Sequence, residues 1–145
     1  MNQNLAQQWY EQYKTGIFRF ALSILKDSHL AEDVLQETFL KLLSGKCRVH
    51  EGKEQAWLYK VARNLCYDIL RNRGREVELT VKQNGESYAY IDLISGLDLT
   101  EREIVTLKIV GGLTHKEVAR VMGLTVHATK KRYERAIQKL REEEI

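Results

Sequence analysis

The stretch from Thr114 to Arg141, THKEVARVMGLTVHATKKRYERAIQKLR, constrains the chain more than any other. Thr114 and Glu117 have the spacing of a capping box, in which each side chain satisfies an otherwise orphaned N–H at the start of a helix. Ala119 and Gly123 stand four apart. The methyl lets a second helix cross closely, and the glycine permits the positive φ of a sharp turn. Thr125 can then cap a following helix. Two helices so joined form a helix-turn-helix unit, whose second helix enters the DNA major groove.

That second helix has two faces. Tyr133, Ala136, Ile137 and Leu140 fall at i, i+3, i+4 and i+7, the spacing of an inward apolar stripe. Lys130, Lys131, Glu134, Arg135, Lys139 and Arg141 lie on the other sides. From Thr125 to Arg141 there are six Lys or Arg against one Glu. A basic helix can be no more than a solvated surface. Here the basic run begins one turn inside a helix that follows an Ala-x-x-x-Gly turn, and that position favours DNA.

The rest of the chain reads as helix as well. Proline is absent, so nothing forces a break inside a helix. Leu5, Trp9, Tyr13, Ile17, Phe20 and Ile24 recur every three or four residues and predict a long amphipathic helix. Asp27 and Ser28 interrupt it and offer a cap to the next. There Leu30, Val34, Leu35, Thr38, Phe39 and Leu42 form the apolar stripe, Asp33, Gln36, Glu37 and Lys41 lie largely off it, and Ser44 and Gly45 end the helix.

The polar segment Lys46–Glu54 reads as a loop, and a third helix is predicted from Gln55 to Arg73. Trp57, Leu58, Val61, Leu65 and Ile69 are its expected buried stripe. Lys60, Arg63, Asn64, Tyr67 and Arg71 share an expected exposed face of cations, an amide and an aromatic ring, a mixture suited to phosphates and unpaired bases. Residues 74–97 contain three of the nine glycines, Gly74, Gly85 and Gly96, and show little helical periodicity. Asn84-Gly85 could turn a weak strand pair, but an extended linker is preferred, long enough to reach about 70 Å. A second capping box is expected at Thr100 and Glu103, on a helix ending at Gly111-Gly112. Ile104, Val105, Leu107 and Ile109 would cover the helix-turn-helix.

Charge is uneven along the 145 residues. Residues 46–75 hold eight Lys or Arg against three Asp or Glu, whereas residues 76–97 hold one against four. Two basic regions separated by an acidic one suggest two nucleic-acid contacts. The two cysteines, Cys47 and Cys66, are too few for a disulfide scaffold and fit a reducing cytoplasm. Cys47 with His50 lacks the further ligands a metal site needs, so neither metal nor other cofactor is expected. No membrane span or signal-peptide core is legible, and no nucleophile–base set or phosphate loop points to an enzyme.

Three stretches, in order, carry a family resemblance: AEDVLQETFLKLL from Ala31, WLYKVARNLCYDILRNRGR from Trp57, and LTEREIVTLKIVGGLTHKEVARVMGLTVHATKKRYERAIQKLRE from Leu99. Together they resemble a bacterial RNA polymerase sigma factor of the extracytoplasmic-function group of the sigma-70 family. The resemblance implies an all-α chain of two small helical domains joined by a flexible linker: region 2 over 1–75, the linker over 76–97 and region 4 over 98–145.

It also implies partners and roles. Asp33, Gln36 and Glu37 would meet the clamp helices of the largest subunit of core RNA polymerase, and the second subunit's flap would be a further contact. The loop Lys46–Glu54, with Lys53, would hold a flipped base of the −10 element, with Asn64 beside it and Lys60, Arg63 and Arg71 on the backbone. Lys130, Lys131, Glu134 and Arg135 would read the −35 element, with Thr125 and His127 nearer phosphates. Thr129 stands where the family pattern has an apolar core residue, and Lys131 where it has a small polar one. An anti-sigma factor is a further expected partner. The competing readings are a stand-alone helix-turn-helix regulator and a protein that occupies polymerase without initiating.

Overall fold

The computed structural model describes the backbone of residues 3–46, 48–73 and 85–143, and all the regular structure within them is helical. Cys47, Asn84 and most of the N-terminal half of the predicted linker lie outside the described residues. Helix α1 spans Gln3–Leu25 and buries Trp9, Ile17, Phe20 and Ile24, as its periodicity requires. Lys26 follows at φ 54°, a left-handed position that lets its amide reach the Leu22 carbonyl at 2.8 Å. Asp27 then caps α2 (Ser28–Leu43) by accepting from the amides of His29 and Leu30 at 2.9 and 3.1 Å. Helix α2 buries Ala31, Val34, Leu35, Thr38, Phe39 and Leu42, and ends at Ser44.

Helix α3 (Glu54–Arg73) corrects the expected stripe. Its fully buried residues are Leu58, Tyr59, Ala62 and Cys66, while Trp57, Val61, Leu65 and Ile69 are half-buried. The reason is that α3 packs on two sides, against α1 and α2 on one and the C-terminal half on the other. Tyr59 fills the junction. Its ring meets Phe20 edge-on at 5.4 Å, and it borders two glycines: a Cβ on Gly16 of α1 would collide with its hydroxyl, and one on Gly111 would stand 3.2 Å from it.

The 76–97 linker also needs correction in its described part. Residues Gly85–Ile94 form a helix, α4, in place of extended chain. Ile91 and Ile94 are buried, and Tyr90 shares a 2.6 Å hydrogen bond with Thr106. Burying those isoleucines offsets the weak helical propensity that made the segment look extended.

Helix α5 spans Leu99–Val105. Its capping box stands two residues earlier than predicted: Asp98 accepts from the Glu101 amide at 2.8 Å, and Glu101 accepts from the Asp98 amide at 3.0 Å. The helix runs on as one π-helical turn over Thr106–Val110, closed by Gly111 N–H donating to the Thr106 carbonyl at 3.0 Å. Ile104, Val105 and Leu107 are buried as expected, but Ile109 is 57% exposed. The wider turn rotates it off the core face.

The helix-turn-helix is as the sequence predicts. The Thr114–Glu117 box opens α6 (His115–Met122), and Gly123 turns the chain at φ 68°. Thr125 caps α7 (Val126–Glu143), its hydroxyl accepting from the Ala128 amide at 3.0 Å. One continuous core runs from Ile17 and Phe20 of α1 to Leu107, Val118 and Met122, and a smaller cluster joins Ile94, Leu97, Val105 and Ala136. The two halves are therefore packed together: α1 touches α5 and the π turn, and α3 touches α6.

Candidate nucleic-acid interface

The N-terminal half of α7 presents one accessible face. Thr125, His127, Lys130, Lys131, Glu134 and Arg135 are all exposed. Positions 127, 130, 131 and 134 share a side at 3.6 residues per turn. Among the described residues, no carboxylate stands within ion-pair distance of Lys130, Lys131 or Arg135. Thr129 faces the other way. It is completely buried, and its hydroxyl donates to the Thr125 carbonyl at 2.9 Å, which is how a hydroxyl is accommodated at an apolar position. Behind the face, Lys139 reaches Glu101 at 2.8 Å and ties α7 to α5.

His115 lies under this face, its ring meeting Tyr133 edge-on at 5.5 Å. Burial, then the charges of Lys108 and Lys130, push its pKa below the ordinary value, while Glu134 opposes them. It is therefore mainly neutral at pH 7 and supplies shape more than charge.

The second set divides. Lys53, Lys60 and Asn64 are exposed as expected, and Arg71 is exposed but paired with Asp68. Arg63 is not on an open face. Its Nε lies 2.6 Å from Oε1 of Glu103, and Tyr67 donates its hydroxyl to Oε2 of the same carboxylate at 2.7 Å. The Arg63 guanidinium also covers the Tyr67 ring at 4.5 Å. The expected common exposed face thus holds for Lys60, Asn64 and Arg71 only. Burial pushes the Glu103 carboxyl upward, and Tyr67 and Arg63 pull it back.

The loop before α3 is shaped by a residue the sequence did not single out. Glu54 is buried, accepting from the Gly52 amide at 2.7 Å and from the Tyr13 hydroxyl at 3.1 Å. Tyr13 is raised to about 12 by burial and then by Glu54. Arg48, His50, Lys53, Trp57 and Lys60 line a cavity of about 260 Å³, and Arg120 and Val121 of α6 close its other side. This basic, partly aromatic hollow suits a phosphate-bearing ligand with a ring to stack.

A third surface lies on α2. Asp33, Gln36 and Glu37 are exposed, and beside them Leu40 and Leu43 are 58% and 50% exposed. A groove of about 530 Å³ runs between α1 and α2, lined by Ala6, Tyr10, Gln36, Phe39, Leu40 and Leu43. An apolar groove with a polar and acidic rim fits a partner helix. Nothing local in the sequence marks Glu54 or Arg120, and Glu103 reads there only as half of a cap, because each gains its place from a residue far away along the chain. Among the described residues no cluster of His, Cys, Asp or Glu could hold a metal ion, and no helix is long and apolar enough to cross a membrane.

Residues 9–76 match the family model for Sigma-70 region 2, and residues 87–140 match that for Sigma-70, region 4. The chain is 31% identical to the ECF RNA polymerase sigma factor SigM of Bacillus subtilis, over 91% of this chain and 90% of that protein. It is 29% identical to the ECF RNA polymerase sigma factor BldN of Streptomyces coelicolor, over 90% of this chain but 57% of that longer protein. Its fold is similar to the sigma factor RpoE of Bartonella quintana, solved in complex with the anti-sigma factor NepR, with a TM-score of 0.77 at 24% identity over 94% of each chain. CnrH, solved with the cytosolic domain of CnrY, gives a TM-score of 0.75 at 27% identity, over 97% of this chain and 88% of that one.

Proposed function

The chain belongs to the extracytoplasmic-function group of sigma-70 RNA polymerase sigma factors, and from that membership we propose how its three surfaces divide the work. The protein directs core RNA polymerase to promoters and assists initiation, in the cytoplasm, making and breaking no covalent bond of its own. Helix α7 reads the −35 element. Lys130, Lys131 and Arg135 donate to guanine edges or phosphates, Glu134 accepts from cytosine N4, and Thr125 and His127 approach the backbone.

The loop before α3, with Lys53, receives an unstacked base of the −10 strand, with Asn64 beside it and Lys60, Arg63 and Arg71 on the phosphates. Trapping that base offsets part of the cost of opening the duplex. Asp33, Gln36 and Glu37 pair with basic side chains of the polymerase clamp helices, and the adjoining Leu40–Leu43 surface supplies apolar contact. An anti-sigma factor is the natural regulatory partner, as for the RpoE neighbour solved with NepR.

The observation that carries this reading is the exposed basic face of α7 on a chain that also carries a region 2 match in the right order. A stand-alone regulator would leave the α2 surface and the α3 loop without a task. Run-off transcription tests the choice. Core polymerase with this protein should initiate from a cognate promoter in a fragment library, and core alone should not. DNA binding without any run-off product across the library would favour the stand-alone regulator.

A further inference from the structure

Glu103 is a completely buried carboxylate on α5, and both of its oxygens are committed to side chains of α3. Arg63 takes one at 2.6 Å and Tyr67 the other at 2.7 Å. A carboxylate buried this deeply is costly unless paired, so the docked arrangement of the two halves depends on those two partners. Other contacts cross the same seam. Gln55 donates to the Gly111 carbonyl, and Arg102, next to Glu103, donates to the Ser23 carbonyl at 2.9 Å near the C-terminal end of α1. Arg120 of α6 lines the hollow that Lys53 and Lys60 also line. The C-terminal half therefore sits on part of the α3 surface assigned to the −10 strand.

We propose that Glu103 is an internal competitor of promoter DNA: in the docked form it binds Arg63 and Tyr67, and release of those residues accompanies engagement of the −10 strand. This rests on the assignment of α3 to that strand. A carboxylate offers arginine an anionic acceptor much as a phosphate does, so the Nε–H that Glu103 holds and the charge it neutralises are withheld from a phosphate. The competition makes α3 weaker for DNA in the free chain than its charge alone would allow. Undocking, by polymerase or by promoter, restores it.

The test uses the full chain. Glu103→Gln keeps the shape and removes the charge, and Glu142→Gln, an exposed position on α7, controls for the changed net charge. A fluorescent, mixed-sequence single-stranded oligonucleotide is the probe, and small-angle scattering reports compactness. Glu103→Gln should bind the oligonucleotide roughly five- to tenfold more tightly than Glu142→Gln, with a larger radius of gyration. Adding Arg63→Ala should abolish the gain.

Equal affinity and equal radius for the two Gln variants would overturn the proposal, and so would expansion without tighter binding. Arg63→Ala alone then separates the two failures. Weakened oligonucleotide binding would leave the α3 assignment standing, whereas unchanged binding would remove that too. If circular dichroism shows that Glu103→Gln does not fold, Tyr67→Phe decides. It removes one of the two hydrogen bonds and should shift affinity and radius in the same direction by less. No shift in either would overturn the proposal.

Discussion

Lys139 Nζ stands 2.8 Å from Oε1 of Glu101, the same oxygen that accepts the Asp98 amide at 3.0 Å. One carboxylate therefore closes the cap of α5 and holds α7 against it. Glu101→Ala should lower stability by about 1–2 kcal/mol, since it removes half of a capping box and leaves the Asp98 N–H without its partner. Lys139→Ala should cost less than about 1 kcal/mol, because its side chain is 44% exposed and the freed charge is hydrated. Urea denaturation of the full chain checks both. Equal losses would mean the ion pair, and not the cap, dominates.

Tyr59 separates the two glycines beside it by whether its own truncation rescues them. A Cβ on Gly111 would lie 2.7 Å from the Leu107 carbonyl oxygen and 3.2 Å from Tyr59, so the π turn itself would have to shift. A Cβ on Gly16 would collide chiefly with the Tyr59 hydroxyl. Each alanine substitution should cost about 1–3 kcal/mol by overpacking. Tyr59→Phe should rescue much of the Gly16→Ala loss and little of the Gly111→Ala loss, read from denaturation midpoints.

What was legible follows from range. The turn at Gly123 and the caps at Asp27, Thr114 and Thr125 are contacts within four residues, and short-range chemistry is written where it acts. The buried stripe of α3 was not legible, because Tyr59 and Cys66 are covered by segments that periodicity along α3 alone does not see. Glu103 was mistaken for the second half of a cap since Thr100 stands three before it, yet its partners lie on α3. Asp98 was the better cap, extended at ψ 171°. Helix α4 was missed for a related reason: Ile91 and Ile94 are held by tertiary packing, and their own segment has weak helical character. At the site, the α7 face was readable because an exposed basic stripe needs no distant partner, whereas Arg63 was misread because it has one.

His115 gives the C-terminal half a pH dependence. Among the described residues its Nδ1 is buried without a hydrogen-bond partner, and burial with Lys108 and Lys130 nearby holds its pKa below the ordinary value of about 6.5. The folded protein then binds fewer protons at this site than the unfolded chain. Stability from this group is complete above about 6.5 and is lost as pH falls below it. The thermal midpoint should therefore fall on acidification through that range. His115→Gln should flatten the part of the slope that belongs to this residue, and an unchanged slope would assign the dependence to other groups.

The separation of surfaces makes the sharpest functional prediction. Arg135 is exposed on α7, whereas Asp33 and Glu37 are exposed on α2. Arg135→Ala should weaken binding of a cognate −35 duplex by roughly tenfold, the loss of about one good base or phosphate contact. Affinity for core polymerase should stay the same. Asp33→Ala with Glu37→Ala should do the reverse, lowering polymerase affinity while leaving the duplex unaffected. Salt then tells the type of contact. If Arg135 binds phosphate, its loss should reduce the slope of log affinity against log salt by about one and should weaken all sequences alike. If it reads a base, the slope changes less and discrimination at one position of the duplex relaxes. Equal loss of duplex and polymerase binding in either variant would defeat the division of labour between α7 and α2.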